Sequence, residues 1–403
     1  MSGPLDDITV LEIANWVAAP SCSALMADMG ATVVKVEPLG GDSMRGKLRQ
    51  PAWPEGAPKT DIPFQLDNRG KKSIAVDLND PRGGDIVRDL AARADVVITN
   101  LLPVRLEKYG ISYDQLRVAN PSLIYAVVSG FGTTGDERDT IAFDVTAFFG
   151  RGGVIGLLGE PDEPPPAPRP GQGDHPTGLA LLAGVLAALR VRDRTGEGQV
   201  VETALMRTAA WTIGCDVSVA LVDKQQPNKR ARNQSISPMN TRYRCADGTW
   251  VILSAHDQGA WPRFCHAVGR PELIDDERFA TPAERFRNGE LLIGIFDEMF
   301  ASQPYDYWAP RLAASRMIWG KIATLPDLVD DPSARGMGMY TTVEHPVVGS
   351  FETLSAPFTL SSSDVVVRGP APEVGENTDE VLRRNGVDDV RIKELRDAGV
   401  VGG

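Results

Sequence analysis

Along the first half of the chain, short runs of aliphatic and β-branched residues alternate with segments whose apolar positions recur three and four apart. Residues 8–13, 31–36, 73–78, 95–99 and 123–128 read as largely buried strands, and 21–29 and 81–92 as helices between them. Such alternation builds a parallel sheet covered by helices, so a Rossmann-like α/β domain is expected. One more strand, at 199–203, precedes a long apolar stretch ending near Val222. Residues 223–241 are polar and read as a linker. The pattern then changes to a hairpin turning at Ala246-Asp247-Gly248 and helices within 261–268 and 284–300, as in a smaller α+β domain. Strand-like alternation returns in the tail, with a last helix at 378–385. The expected organisation is a large domain over 1–222, a linker and small domain over 223–325, and a return to the large domain over 326–403.

Between Gly159 and Gly173 the sequence becomes EPDEPPPAPRPGQG, which forms neither helix nor central strand because proline lacks the amide donor and clashes with the preceding turn. The helical pattern restarts abruptly at Asp174-His175-Pro176-Thr177 and continues through the nearly all-apolar 178–190. Asp174 therefore stands where a buried helix begins. Two phosphate-binding signatures are missing: the turn after the first strand reads NWVAAP rather than GxGxxG, and there is no Walker A loop.

At 403 residues the chain exceeds what one core usually supports, which fits two units. A formal net charge of -12 argues against a nucleic-acid partner, since phosphate backbones need a positive face. The start, MSGPLDDITVLEIA, lacks a basic segment followed by an apolar one, and the longest apolar run, 179–189, is too short to span a bilayer. A cytoplasmic protein without a membrane partner is expected. The four cysteines, Cys22, Cys215, Cys245 and Cys265, show no CxxC pairing, so reduced thiols are expected and no metal is implied.

Asp174 admits two readings. An Asp beside a helix-starting Pro commonly caps the helix, contributing roughly 1 kcal/mol. A carboxylate after a Gly-rich loop at a helix start also has backbone donors nearby that stabilise charge in acyl transfer. His175 is the one histidine beside this position, and without a GxSxG elbow a hydrolase triad is disfavoured. His256, His266 and His345 read as surface or structural residues. Cations gather at Arg69, Lys71 and Lys72 before one strand, with Arg45 after a Gly-Gly-Asp turn and Lys108 after another strand. They form either a solvated face or a phosphate site at the strand ends of an open sheet.

The segments PLDDITVLEIANWVAAP, ADMGATVVKVEPLGGDSMRG, NRGKKSIAVDLNDPRG, ADVVITNLLP, GDHPTGLALLAGVLAALRVRDRTGEGQVVETAL and VGENTDEVLRRNG together resemble the class III CoA-transferase family, nearly end to end. That family also holds formyl-CoA:oxalate and carnitine CoA-transferases and α-methylacyl-CoA racemases. The resemblance implies that Asp174, in a GD-x-x-[ST]-G block, is the nucleophile, forming a mixed anhydride and then an aspartyl-CoA thioester. It implies an acyl-CoA donor and a carboxylic acid acceptor, with CoA as substrate and no tightly bound cofactor. CoA is expected along the first domain, near Val17 and Ala18, Val76 to Leu78, Asn100, Leu101 and Leu102, Lys108, and Thr140 to Phe143, with Arg45, Lys71 and Lys72 near its phosphates. The implied fold is an interlocked dimer of ring-like chains.

Departures from the family pattern bear on the acid. Oxalate-using members carry Gln at Val17, Trp near Lys47, Tyr at Phe143 and a Gly-rich loop without a counterpart in 223–245, so a larger or more apolar acyl group is expected here. Racemases place a His where this chain has Phe143, before Asp144; racemisation needs two proton-transfer groups, so a 2-methylacyl-CoA racemase is the secondary reading. A noncatalytic acyl-CoA-binding protein is the third, disfavoured by the intact Asp174 block.

Overall fold

The computed structural model describes residues 2–235, 237–255 and 259–403. The chain divides into two compact units, one of Met1–Gly156, Ala167–Gln225 and Met337–Gly403, the other of Leu157–Pro166 and Gln226–Gly336.

The larger unit is organised by a seven-stranded sheet. Its strands are β1 (Thr9–Ile13), β2 (Thr32–Glu37), β3 (Lys72–Val76), β4 (Val96–Thr99), β5 (Ile124–Ser129) and β6 (Val200–Ala204), while β7, β8 and β9 (Arg242–Arg244, Trp250–Leu253 and Trp319–Ile322) belong to the smaller unit. A hairpin of β10 (Tyr340–His345) and β11 (Gly349–Leu354) and a two-residue strand, β12 (Val401–Gly402), complete the set. The seven-stranded order is β12-β3-β2-β1-β4-β5-β6. All pairings are parallel except β12 on β3, so the expected parallel sheet is corrected to a mostly parallel one with an antiparallel edge. The order reverses between β1 and β4, and at such a switch point the loops leaving two strands diverge and open a crevice.

Aliphatic residues on both faces explain why these runs carry little alternation. Leu11, Ile13, Val97 and Val127 join one core, sealed by the Pro81–Ala91, Thr378–Arg384 and Asp389–Asp397 helices. Val10, Val33, Ile98 and Val128 join the other, beneath the Ala18–Asp28 and Asp174–Thr195 helices. Those two helices approach closely because residue 178 is glycine: a Cβ there would sit 2.1 Å from Ser21 Oγ and 2.6 Å from the Ala18 carbonyl oxygen. The last helix is Asp389–Asp397, not the expected one at 378–385; it carries charges at most positions and buries only Ile392 and Leu395.

In the smaller unit, β7 and β8 form the expected hairpin and β9 adds a third antiparallel strand. Its core is aromatic, with Tyr243, Phe264, Phe296, Phe300 and Trp308 buried together. Among the described residues no single helix is long and apolar enough to cross a membrane. Cys22, Cys245 and Cys265 are buried free thiols and Cys215 is exposed.

Candidate active site

The crevice at the switch point is a cavity of about 570 Å³ in the larger unit. Its walls come from the loops after β1 (Asn15 to Ala18), β4 (Asn100 to Arg105) and β5 (Ser129, Gly130, Thr133), with Thr140 to Val145, Gly171 and Asp174. The β1 and β4 loops are tied by an amide pair: Asn15 N–H donates to Asn100 Oδ1 at 3.1 Å and Asn100 Nδ2 donates to the Asn15 carbonyl at 2.6 Å.

Asp174 is the first residue of its helix, and the cap position is Gly173. Asp174 thus stands one residue inside the cap, and the helix-cap reading does not describe it. What orders the approach is Asp144, almost fully buried, whose Oδ2 accepts from the amides of Gly171 at 2.9 Å and Gly173 at 3.1 Å. The carboxyl of Asp174 is pushed up to about 7, first by burial and then by the negative charges of Asp144 and Asp67, against the opposing pull of His175. His175 Nε2 lies 3.0 Å from Oδ1 of the buried Asp67. Burial disfavours the imidazolium, but the bond to Asp67 and the charges of Asp67 and Asp174 outweigh it and raise the pKa.

The structure brings Val17, Ala18, Asn100, Leu101, Leu102, Thr140, Phe143 and Asp174 to this one cavity. It does not bring the expected cations there. Lys71 is corrected: its ammonium is buried and donates to Glu12 Oε2 at 2.6 Å, Asn68 Oδ1 at 3.0 Å and the carbonyls of Asp67 and Pro20, which leaves no donor facing a ligand. Lys72 pairs with Glu380. Arg45 pairs with Glu37 at 2.8 Å and stacks on Phe64, away from the cavity. Val76 is buried within β3, Leu78 packs against the core beyond it, and Lys108 donates to Asn79 at 3.2 Å. The cations that do line the cavity are Lys47, Arg105 and Arg138, all exposed at its mouth. Arg138 is shared with Glu107 and Asp139. Nothing in the order of residues distinguished these three from other surface cations, because the loops that carry them meet only in the fold.

Of the other histidines, His345 is buried and its Nδ1 accepts the Val347 amide at 3.1 Å, a turn-stabilising role, while His266 is exposed. His256 lies outside the described residues. Among the described residues no group of three or more His, Cys, Asp or Glu side chains is placed to hold a metal ion.

A half-buried carboxyl at a helix start, without a hydrogen-bond partner among the described residues and lining a cavity with cations at its mouth, fits covalent acyl chemistry. Residues 5–378 match the profile of CoA-transferase family III. The chain belongs to that family. It is 32% identical over 401 residues to an (R)-2-hydroxy-4-methylpentanoate CoA-transferase of Clostridioides difficile, covering 98% of this chain and 99% of that one. It is 31% identical to a cinnamoyl-CoA:phenyllactate CoA-transferase of Clostridium sporogenes, covering 96% and 95%, and 33% identical to a formyl-CoA:oxalate CoA-transferase of Streptomyces avermitilis, covering both chains in full. A CAIB/BAIF family protein from Brucella suis superposes with a TM-score of 0.85 at 30% identity, over 96% of this chain and all of that one. This family III chain is thus a CoA-transferase, an enzyme that moves CoA between carboxylic acids.

Proposed function

We propose that Asp174 performs the transfer covalently. Its Oδ attacks the carbonyl carbon of the donor thioester, the C–S bond breaks, and CoA leaves as thiolate from an acyl-aspartyl anhydride. The thiolate then attacks the aspartyl carbonyl, releasing the first acid as carboxylate and leaving an aspartyl-CoA thioester. An acceptor carboxylate reverses both steps: it forms a second anhydride, and the thiolate takes its acyl group and frees Asp174. Thioester energy is conserved throughout, since no water intervenes. The observation that carries this reading is the Asp174 carboxyl itself, lining the cavity one residue inside the helix cap and held up to about 7. A carboxylate so poorly solvated is a stronger nucleophile than one in water.

Lys47, Arg105 and Arg138 at the cavity mouth supply cations for CoA phosphates. The protein works as a homodimer in this reading. Its support is the helix Gly214–Asp223, which buries none of its residues and exposes Val219, Leu221 and Val222, next to an exposed Trp211. An apolar surface of this kind calls for a cover.

The test is Asp174→Asn, which keeps the size of the side chain and removes the nucleophile. Transfer should fall by several orders of magnitude while CoA still binds. Normal turnover of the folded variant, with deamidation excluded by mass spectrometry, overturns the proposal.

A further inference from the structure

The relatives act on acids as different as oxalate and phenyllactate, so their names do not choose an acid for this chain. The walls beside Asp174 do. Trp16 and Phe143 meet edge to face with ring centroids 5.0 Å apart, and both line the cavity. They are the neighbours of the two segments that flank the carboxylate. Trp16 precedes Val17 and Ala18, and the Ala18 carbonyl packs against Gly178, one turn beyond Asp174. Phe143 precedes Asp144, whose carboxylate holds the Gly171 and Gly173 amides immediately before Asp174. The aromatic pair therefore shares the wall of the cavity that Asp174 lines.

Trp16 is fixed there at some cost. Its φ is 68°, a left-handed conformation that a bulky residue rarely adopts. Asp42 holds it: Oδ1 accepts the Trp16 amide at 3.0 Å and the Met44 amide at 2.8 Å, and Oδ2 lies 2.7 Å from the buried ammonium of Lys35. Phe143 remains 44% exposed, so a large part of its ring is free to cover a ligand.

The charges around the nucleophile point the same way. Asp144 and Asp67 place two negative charges near Asp174, and the three cations lining the cavity are at its exposed mouth. A second carboxylate on the acid would meet the negative charges of Asp144 and Asp67 near Asp174, countered by His175 alone, and an aromatic wall in place of a cation.

Resting on the CoA-transfer reading, we infer that the acid handled at Asp174 is a monocarboxylate bearing a bulky uncharged substituent, aryl or branched alkyl, that packs against the Trp16–Phe143 pair. Dicarboxylates are disfavoured by the charges beside Asp174 together with this wall.

Identity exchange tests this one acid at a time: each acyl-CoA is incubated with its own carbon-13-labelled acid and label entering the thioester is followed by mass spectrometry. The panel is 3-phenylpropanoate, 4-methylpentanoate, acetate and succinate. The first two should exceed succinate in kcat/KM by roughly 100-fold, and Trp16→Gly, which suits the positive φ, should lower the phenylpropanoate-to-acetate ratio at least about tenfold, as should Phe143→Ala. Exchange of succinate at the rate of phenylpropanoate, or losses equal for all acids in both variants, overturns the assignment of substrate class while leaving transfer intact. No exchange with any acid, together with no CoA adduct on the Asp174 peptide, removes the transfer reading and this inference with it.

Discussion

Glu12 and Asp174 are carboxylates withdrawn from water in the same unit, and their surroundings treat them oppositely. Glu12 sits on β1 with every oxygen answered: Oε1 takes Lys35 at 2.6 Å, and Oε2 takes Lys71 at 2.6 Å together with the Ser23 hydroxyl. Burial raises its pKa, yet the two lysines overcome that and hold it at about 2. Asp174 has burial and two like charges against a single histidine, and goes up to about 7. The first arrangement spends its electrostatics on fixing the strand ends, with Lys35 passing the link to Asp42 and so to the Trp16 turn. The second leaves a carboxyl uncomfortable where a substrate arrives. Paired buried charge marks the frame of this site, and unpaired buried charge marks its chemistry.

The largest effect should come from breaking the frame. Glu12→Gln leaves Lys35 and Lys71 buried without their common counter-charge and should destabilise the larger unit by about 3–5 kcal/mol, seen as a lower denaturation midpoint. In the wild type the contribution of Glu12 is present above its ordinary pKa of 4.5 and is lost as pH falls toward about 2. An unchanged midpoint in the variant would mean that the network is not coupled to the fold.

Asp174 should behave in the reverse sense. Its folded state binds the proton more tightly than the unfolded chain, so its ionisation subtracts stability as pH rises from 3.8 to about 7. Asp174→Asn lacks that loss. The variant should match wild type near pH 4 and exceed it by about 1–3 kcal/mol at pH 8. A difference that does not change with pH contradicts the unpaired state of this carboxyl.

The smallest effect concerns His175, whose charge opposes the upward shift of Asp174. With a carboxylate nucleophile, kcat/KM rises with pH through about 7. Asp144 and Asp67 remain when His175→Gln removes the imidazolium, so the acidic limb should move to higher pH by roughly half a unit. An unmoved limb with lowered kcat would assign His175 to packing alone.

Much of the frame was legible in the sequence because a strand buried on both faces announces itself by an apolar run, as at Val96–Thr99 and Ile124–Ser129. The helix start at Asp174 was legible from the Gly-rich loop and Pro176. The Asp389–Asp397 helix was not, since its charged positions hide a stripe of only two buried residues, and β12 is too short to show a period. Lys71 misled for a physical reason: its neighbour Lys72 opens β3 and turns outward, and the residue before a strand gives no sign of its direction. Asp144 and Trp16 went unnoticed as organisers because their partners are distant in sequence, at Gly171 and Gly173 for one and at Asp42 for the other.

The most direct measurement of the central claim is the covalent state of Asp174 during turnover. Protein incubated with an acyl-CoA of the apolar class, quenched in acid and digested, should yield the peptide containing Asp174 with the added mass of CoA as a thioester, and hydroxylamine treatment should convert that residue to its hydroxamate. Transfer that proceeds at full rate while the Asp174 peptide stays unmodified at every quench time would contradict the account.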